Sequence, residues 1–319
     1  MLQTIGDLGE FGLIARVTAR FPGTDNVILG PGDDAAIVGA PDGRVVATTD
    51  VLVEGRHFRR EWSSPSEVGH KAAAQNFADI AAMGARPTAL LIGLAAPPEL
   101  PVSWVDAFAD GIRDECAAAG GSVAGGDTVA SDTLTIAITA LGDLAGQRAV
   151  RRDGARPGDI VAVTGNLGLS AAGLELLGAG LDRPRKCLEE HLRPRPPYAQ
   201  GPAAAGLGAT SMLDISDGLV QDLGHISRAS GVVIDLNPDT LIPVPELYEA
   251  VERLAEFRKP VRDPVDFMLG GGEDHALAAT FPPDVALPLE WSRIGTVAAG
   301  TGVTVDGSTV PAGGWDHFG

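Results

Sequence analysis

Six times along this chain a carboxylate stands where an apolar strand or an alanine-rich helix has no ordinary use for one. Asp33 and Asp34 follow a Pro-Gly turn in NVILGPGDDAAIV, Asp50 closes the run ATTD, and Asp79 lies inside KAAAQNFADIAAMG. Asp127 follows two glycines in VAGGDT, Asp214 and Asp217 bracket LDISD, and Glu273 and Asp274 follow three glycines in GGGEDHAL. Each has a local explanation: turn chemistry for Asp33 and Asp34, a strand-end cap for Asp50, a satisfied buried network for Asp79, an N-cap in the LDISDG turn. Jointly they constrain the fold more than any single motif. Carboxylates gathered in a water-poor place repel one another and rise in pKa unless cations neutralise them. Hard divalent ions with oxygen ligands suit this set, whereas zinc wants His or Cys. The six histidines show no H-E-x-x-H spacing, and there is no EF-hand loop.

Between the acids, strand and helix patterns alternate. Residues 26 to 38 and 44 to 53 read as two strands joined by the turn APDG, a hairpin by pattern. SEVGHKAAAQNFADIAAMGARP reads as a helix that opens near Ser66 and stops at Gly84, with Pro87 just beyond. Within it Gln75 and Asn76 lie one turn before Asp79, and Ala72 and Met83 extend that face, which gives one polar stripe on a helix otherwise fit for burial. The strand ALLIGLA, a helix from Trp104 to Ala119 and the strand LTIAITALGDL complete a first domain, 1–145. The polar stretch RRDGARPGD marks the boundary. The second domain, 146–319, reads as the buried strand IVAVTG, a helix LSAAGLELLGAG, a Pro-rich loop RPRPPYAQG and a strand SMLDIS. A helix DGLVQDLGHISRAS follows, starting near Asp217 with Ser216 at its cap, then a strand VVIDL, a helix near Val244 to Glu256 and a hairpin around TVDG. The class is α+β, two mixed α/β domains, and no solenoid period is present.

Charge narrows the partners. A net charge of −18 argues against general nucleic-acid binding, because a phosphate backbone demands a basic face. The same acidity tolerates a phosphorylated small molecule if divalent cations stand between the two sets of negative charge. None of the three lysines, Lys71, Lys186 and Lys259, follows a G-x-x-x-x-G, so a Walker A loop is absent. Two features suit phosphate: the helix start at LDISDG, with free N–H groups beside two acids, and Gly125–Gly126, where backbone can approach a ligand closely. The glycines of TGNLGLS read as packing. Cys116 and Cys187 are too few for a disulfide scaffold or a Cys-based zinc site. With no basic leader and no run of some 18 apolar residues, the expectation is a cytoplasmic protein with no membrane partner.

GPGDDAA, TTDVLVEGRHF, NFADIAAMGA, GGDT, LDISDGLVQDLGHI, GGEDHAL and GWDHF, in this order, resemble the thiamine-monophosphate kinase family, part of the aminoimidazole ribonucleotide synthetase-like superfamily. The likeness runs from EFGLIAR to the last residues. It implies an N-terminal domain whose sheet pairs with its twofold mate into a barrel-like dimer core, and a C-terminal α/β domain over the cleft. It also implies transfer of the γ-phosphoryl group of ATP to thiamine monophosphate in a homodimer assisted by several Mg2+ ions. By motif, Asp34, Thr48, Thr49, Asp50, Asp79, Asp127, Asp214 and Asp217 resemble the magnesium ligands. Gly126, Asp127, Arg152 and Ser216 resemble the nucleotide contacts, and His57, Glu273 and Trp315 the thiamine-side contacts. The loop HLRPRPPYAQG departs from the family, with Pro197 in place of an arginine. No catalytic general base is assigned, because a phosphate monoester with a second pKa of about 6 is already mostly deprotonated at neutral pH. Two other readings stay open: a related ATP-dependent synthetase that keeps the acids and changes the acceptor pocket, and a non-catalytic regulator that binds nucleotide and metal.

Overall fold

Gly69 and Gly111 decide how the first half of the chain packs. They lie on the helices Pro65–Ala82 and Val102–Ala119. A Cβ on Gly69 would collide with the Phe108 carbonyl oxygen and one on Gly111 with that of Ser66, so the two helices cross with their backbones touching. The computed structural model describes residues 3–31, 35–257 and 262–309. It divides into two units, Met1–Ile80 with Ala85–Gly146, and Ala81–Gly84 with Gln147–Gly319.

The N-terminal unit holds a four-stranded sheet in the order Val46–Val53, Thr135–Asp143, Arg86–Ala96, Ser122–Ala130. The last pair is parallel and the others antiparallel, with helix Val102–Ala119 as the crossover between the parallel strands. Period-two alternation gives the sheet two unlike faces. Leu52, Ile136, Ile138, Leu90 and Ala140 are wholly buried on one of them. Val51, Leu91 and Val129 stand 47%, 36% and 55% exposed on the other, and no described segment of the chain covers them. Helix Pro65–Ala82 opens on a reciprocal cap: the Ser64 N–H and hydroxyl both reach Glu67 Oε2, at 2.7 and 2.8 Å.

The C-terminal unit is built on a seven-stranded sheet in the order Ser308–Thr309, Gly302–Val305, Val232–Leu236, Ser292–Ala299, Ile160–Thr164, Leu277–Phe281, Ser211–Asp214. Only the Gly302–Val305 and Val232–Leu236 pair is parallel. The inner strand Ile160–Thr164, fifth in this order, is buried at every position. Val161 and Val163 enter one core with Leu213, Leu219 and Phe267, while Ile160 and Ala162 enter the other with Met212, Phe281 and Trp291. Layers on both faces explain why IVAVT carries no alternation. No described helix in either unit is long and apolar enough to cross a membrane.

The structure departs from the sequence reading in strand pairing, helix start and loop length. Val46–Val53 does not form a hairpin with the segment before APDG. Val27–Leu29 pairs with Ile37–Val38, and Val46–Val53 pairs with Thr135–Asp143, whose buried isoleucines complete the face that Leu52 belongs to. Gly125, Gly126 and Asp127 of GGDT lie inside the strand Ser122–Ala130. Gly126 is needed there because a Cβ would collide with the Ile92 carbonyl oxygen of the parallel neighbour. The helix after LDISDG begins at Leu219 with Gly218 as its N-cap, not at Asp217 with Ser216. The Pro-rich passage is shorter than its composition suggests, since helices Arg185–Leu192 and Gln200–Leu207 flank it.

Candidate functional site

In the N-terminal unit the strand Val46–Val53 and the helix Pro65–Ala82 bring three of the candidate ligands together. The Thr48 hydroxyl donates to Asp79 Oδ2 at 2.7 Å, and the Asp50 N–H donates to Asn76 Oδ1 at 3.1 Å. Asn76 is fully buried and anchors its own amide to the Ala72 carbonyl at 2.9 Å. The polar stripe of an otherwise buried helix thus faces the strand that carries Thr48 and Asp50. Asp50 and Asp79 stay half-buried, and carboxylate oxygens are the donor type a hard cation takes.

Thr49 and Asp127 sit elsewhere. Thr49 points to the opposite sheet face, where its hydroxyl donates to the Ile138 carbonyl and accepts from Thr139. The register Asp127–Gly93–Ala137–Val51 puts Asp127 on that same open face. It is exposed, and three strand spacings, roughly 14 Å, separate its strand from that of Thr49. His57 follows the strand Val46–Val53 in a tight loop, with Nδ1 accepting the Val53 N–H at 3.0 Å and the Lys71 ammonium 3.5 Å from its carbonyl oxygen. Asp34 and Trp315 lie outside the described residues. Among those described, no three His, Cys, Asp or Glu side chains are grouped tightly enough to hold a metal by themselves.

In the C-terminal unit, strand end and helix start make a compact acidic turn. Asp214, buried at the end of its strand, meets His275 Nδ1 at 3.2 Å. Asp217 is half-buried three residues on. Asp222, in the first turn of the helix Leu219–Ser230, accepts the N–H groups of Ser216, Asp217 and Gly218 on one oxygen at 3.0 to 3.1 Å. Three donors expected to be free for a phosphate are therefore held by the protein's own side chain. Burial pushes the Asp222 carboxyl up to about 7, with the charges of Asp214 and Asp217 adding and the N–H groups of Asp217 and Gly218 opposing.

Asp274 plays a similar part. It is buried and accepts the Gly168 and Ser170 N–H groups at 2.6 and 3.0 Å, capping the helix Leu169–Gly178. Burial raises its carboxyl to about 7 against those two hydrogen bonds. Glu273 is held in the left-handed region, φ 60°, and its N–H donates to the Ser216 carbonyl at 2.7 Å. One backbone hydrogen bond therefore joins a candidate nucleotide contact to a candidate acceptor contact. Arg152 is exposed, its carbonyl fixed by the Ser230 hydroxyl at 2.8 Å. Asp222 and His191 escape a reading by motif, while Asp274 and His275 lie within the GGGEDHAL stretch without an assigned role. Only Asp222 left a signal, an acid in the first turn of a helix.

Two family profiles match the chain: AIR synthase related protein, N-terminal domain, over residues 32–144, and AIR synthase related protein, C-terminal domain, over 156–308. The chain is 46% identical over 320 residues to the thiamine-monophosphate kinase of Mycobacterium tuberculosis, covering 99% of this chain and 93% of the relative. Its fold is similar to the crystal structure of the Aquifex aeolicus thiamine monophosphate kinase, with a TM-score of 0.78, 36% identity and coverage of 97% and 99%. It is also similar to AaThiL complexed with AMPPCP and TMP, with a TM-score of 0.80, 36% identity and coverage of 99% of both chains.

Proposed function

The chain belongs to the AIR synthase related family and, within it, to the thiamine-monophosphate kinases, and we infer from this that it transfers the γ-phosphoryl group of ATP to thiamine monophosphate. The observation that carries the reading is end-to-end similarity to a kinase that has been solved with an ATP analogue and TMP.

The chemistry sets a clear physical task. Both reactants are anions, and unit charges 4 Å apart interact by about 4 kcal/mol at an effective dielectric near 20. A loose phosphoryl-transfer transition state asks for alignment and charge neutralisation, with little covalent chemistry from the protein. The donor set suits this: Asp50, Asp79, Asp127, Asp214 and Asp217, with the hydroxyls of Thr48 and Thr49, are hard oxygen ligands that fit Mg2+ and suit zinc poorly. Asp34 joins them by motif. When bound, the ions would screen phosphate from phosphate. In this reading 1–145 carries metal and nucleotide contacts and the dimer surface, and 146–319 carries the phosphate, metal and substrate contacts. Gly126 and Arg152 serve the nucleotide with Ser216. His57, Glu273 and Trp315 serve the acceptor, where an acid and an aromatic face suit a cationic thiazolium.

The bare face at Val51, Leu91 and Val129 supports a dimer in which two N-terminal sheets pair, and the ATP requirement supports a cytoplasmic setting. Purified protein given ATP, magnesium and thiamine monophosphate should form thiamine diphosphate, and none should form when magnesium is chelated. Absence of product with all three present would remove the kinase reading. Light scattering of the same sample at the mass of one 32.7 kDa chain would remove the dimer. Recovery in a membrane fraction of lysed cells would remove the cytoplasmic setting.

A further inference from the structure

Helix Arg185–Leu192 comes against helix Leu169–Gly178 at Gly173, where an added Cβ would collide with the Cys187 carbonyl oxygen and lie 3.0 Å from the His191 Cβ. The bare backbone at Gly173 lets His191 settle, 6% exposed, beside a wholly buried Ser170, with Ser170 Oγ 3.2 Å from His191 Nδ1. The same Nδ1 lies 3.5 Å from Glu273 Oε2. In the tautomer with the proton on Nδ1, the ring faces the Glu273 carboxylate with an N–H.

Glu273 is unusual in its backbone as well. A non-glycine residue at φ 60° is strained and persists where its surroundings require it. Here the surroundings are close: Glu273 N–H bonds the Ser216 carbonyl, and a Cβ on Gly272 would run into that same oxygen. The side chain of Glu273 is 35% exposed, so part of the carboxylate faces outward while Oε2 faces His191. Its neighbour Glu190 is tied to Asn166 Nδ2 at 3.1 Å, and Asp274 is occupied in capping, which leaves Glu273 as the acid of this group that reaches the surface.

We propose that His191, steadied by Ser170, is a positioning residue that aims the Glu273 carboxylate at the cationic part of the phosphoryl acceptor. The inference rests on Glu273 as an acceptor contact. A free glutamate loses rotamer entropy on binding, and fixing it before the ligand arrives removes that loss from the binding step. The carboxylate suits the cationic part of the acceptor, and the phosphate monoester it carries is that of the kinase reading on which the inference rests.

The test compares Michaelis constants for acceptor and nucleotide in His191→Ala, His191→Asn and Ser170→Ala, with thermal melts to confirm folding. His191→Ala should raise KM for thiamine monophosphate about tenfold and leave KM for ATP within about twofold. His191→Asn puts an amide nitrogen near the place of Nδ1 and should return KM to within about threefold of wild type. Ser170→Ala should give a smaller rise, about threefold, confined to the acceptor. In a Glu273→Ala background, His191→Ala should add nothing, because its effect passes through the carboxylate.

An unchanged acceptor KM in His191→Ala, equal rises in both constants, or full additivity with Glu273→Ala would each overturn the proposal. If His191→Ala does not fold, Ser170→Ala decides: an acceptor-confined rise supports it, and no rise or a shared one overturns it. A wild-type protein that forms no thiamine diphosphate would defeat the acceptor reading itself. An active wild type indifferent to these changes would defeat only the role of His191.

Discussion

The acids of the N-terminal unit and those of the C-terminal unit look alike in sequence and are used differently. The Asp79 carboxylate accepts from a hydroxyl, that of Thr48, and the Asp50 backbone N–H donates to Asn76 Oδ1. Asp222 and Asp274 are claimed by backbone: five N–H groups between them, at two helix starts. An acid beside glycine is thus poor evidence of a ligand until its hydrogen-bond partners are known. A carboxylate that meets hydroxyls and other acids has capacity left for a cation, whereas one saturated by N–H groups shapes the chain.

That contrast breaks if the two groups respond alike to substitution. The largest effect should come from Asp79→Asn, which removes a charge from the N-terminal group. Turnover should fall on the order of a hundredfold or more while the melting temperature moves by only a few degrees. Wild-type-like turnover at saturating magnesium would take Asp79 out of the ligand set. Asp222→Ala should instead act on stability: three N–H groups lose their acceptor, at a cost of about 1 to 3 kcal/mol, and the melting temperature should drop by roughly 3 to 10 °C. A melt unchanged within about 1 °C would deny the capping role and merge the two groups again.

The last expected effect is a pH slope. The Asp274 carboxyl is raised in the folded protein from 3.8 to about 7, so between those values the native state binds its proton more tightly than the unfolded chain does. The contribution is fully present below 3.8 and lost as pH rises through about 7. Denaturant melts of the metal-free protein from pH 5 to 8 should therefore decline more steeply for wild type than for Asp274→Asn, which cannot titrate. Parallel slopes would show that burial does not govern this carboxyl.

Much of the fold was legible because periodicity reports on faces. The helix Pro65–Ala82, the strand Arg86–Ala96 and the buried strand Ile160–Thr164 announce themselves by composition and by their flanking Gly and Pro. Pairing was not legible, since a face does not name its neighbour: Val46–Val53 fits any strand that continues the layer of Leu52, and the one that does lies some ninety residues away. Two glycines before Asp127 imitate a turn when the real reason for Gly126 is a carbonyl on the adjacent strand. At the site, motifs found the acids and overlooked their keepers. Asn76 was visible as part of a helical stripe. His191, Ser170 and Asp274 meet only in space, from segments about twenty to a hundred residues apart, and no local pattern ties them together.

Gly126 leaves a mark at the level of the gene. With the Ile92 carbonyl filling the space of a β-carbon, every missense change at this codon inserts atoms where two parallel strands already touch. The four glycine codons differ only in their last base, so drift here is confined to that one letter, and a randomised library screened for intact protein should return glycine and nothing else.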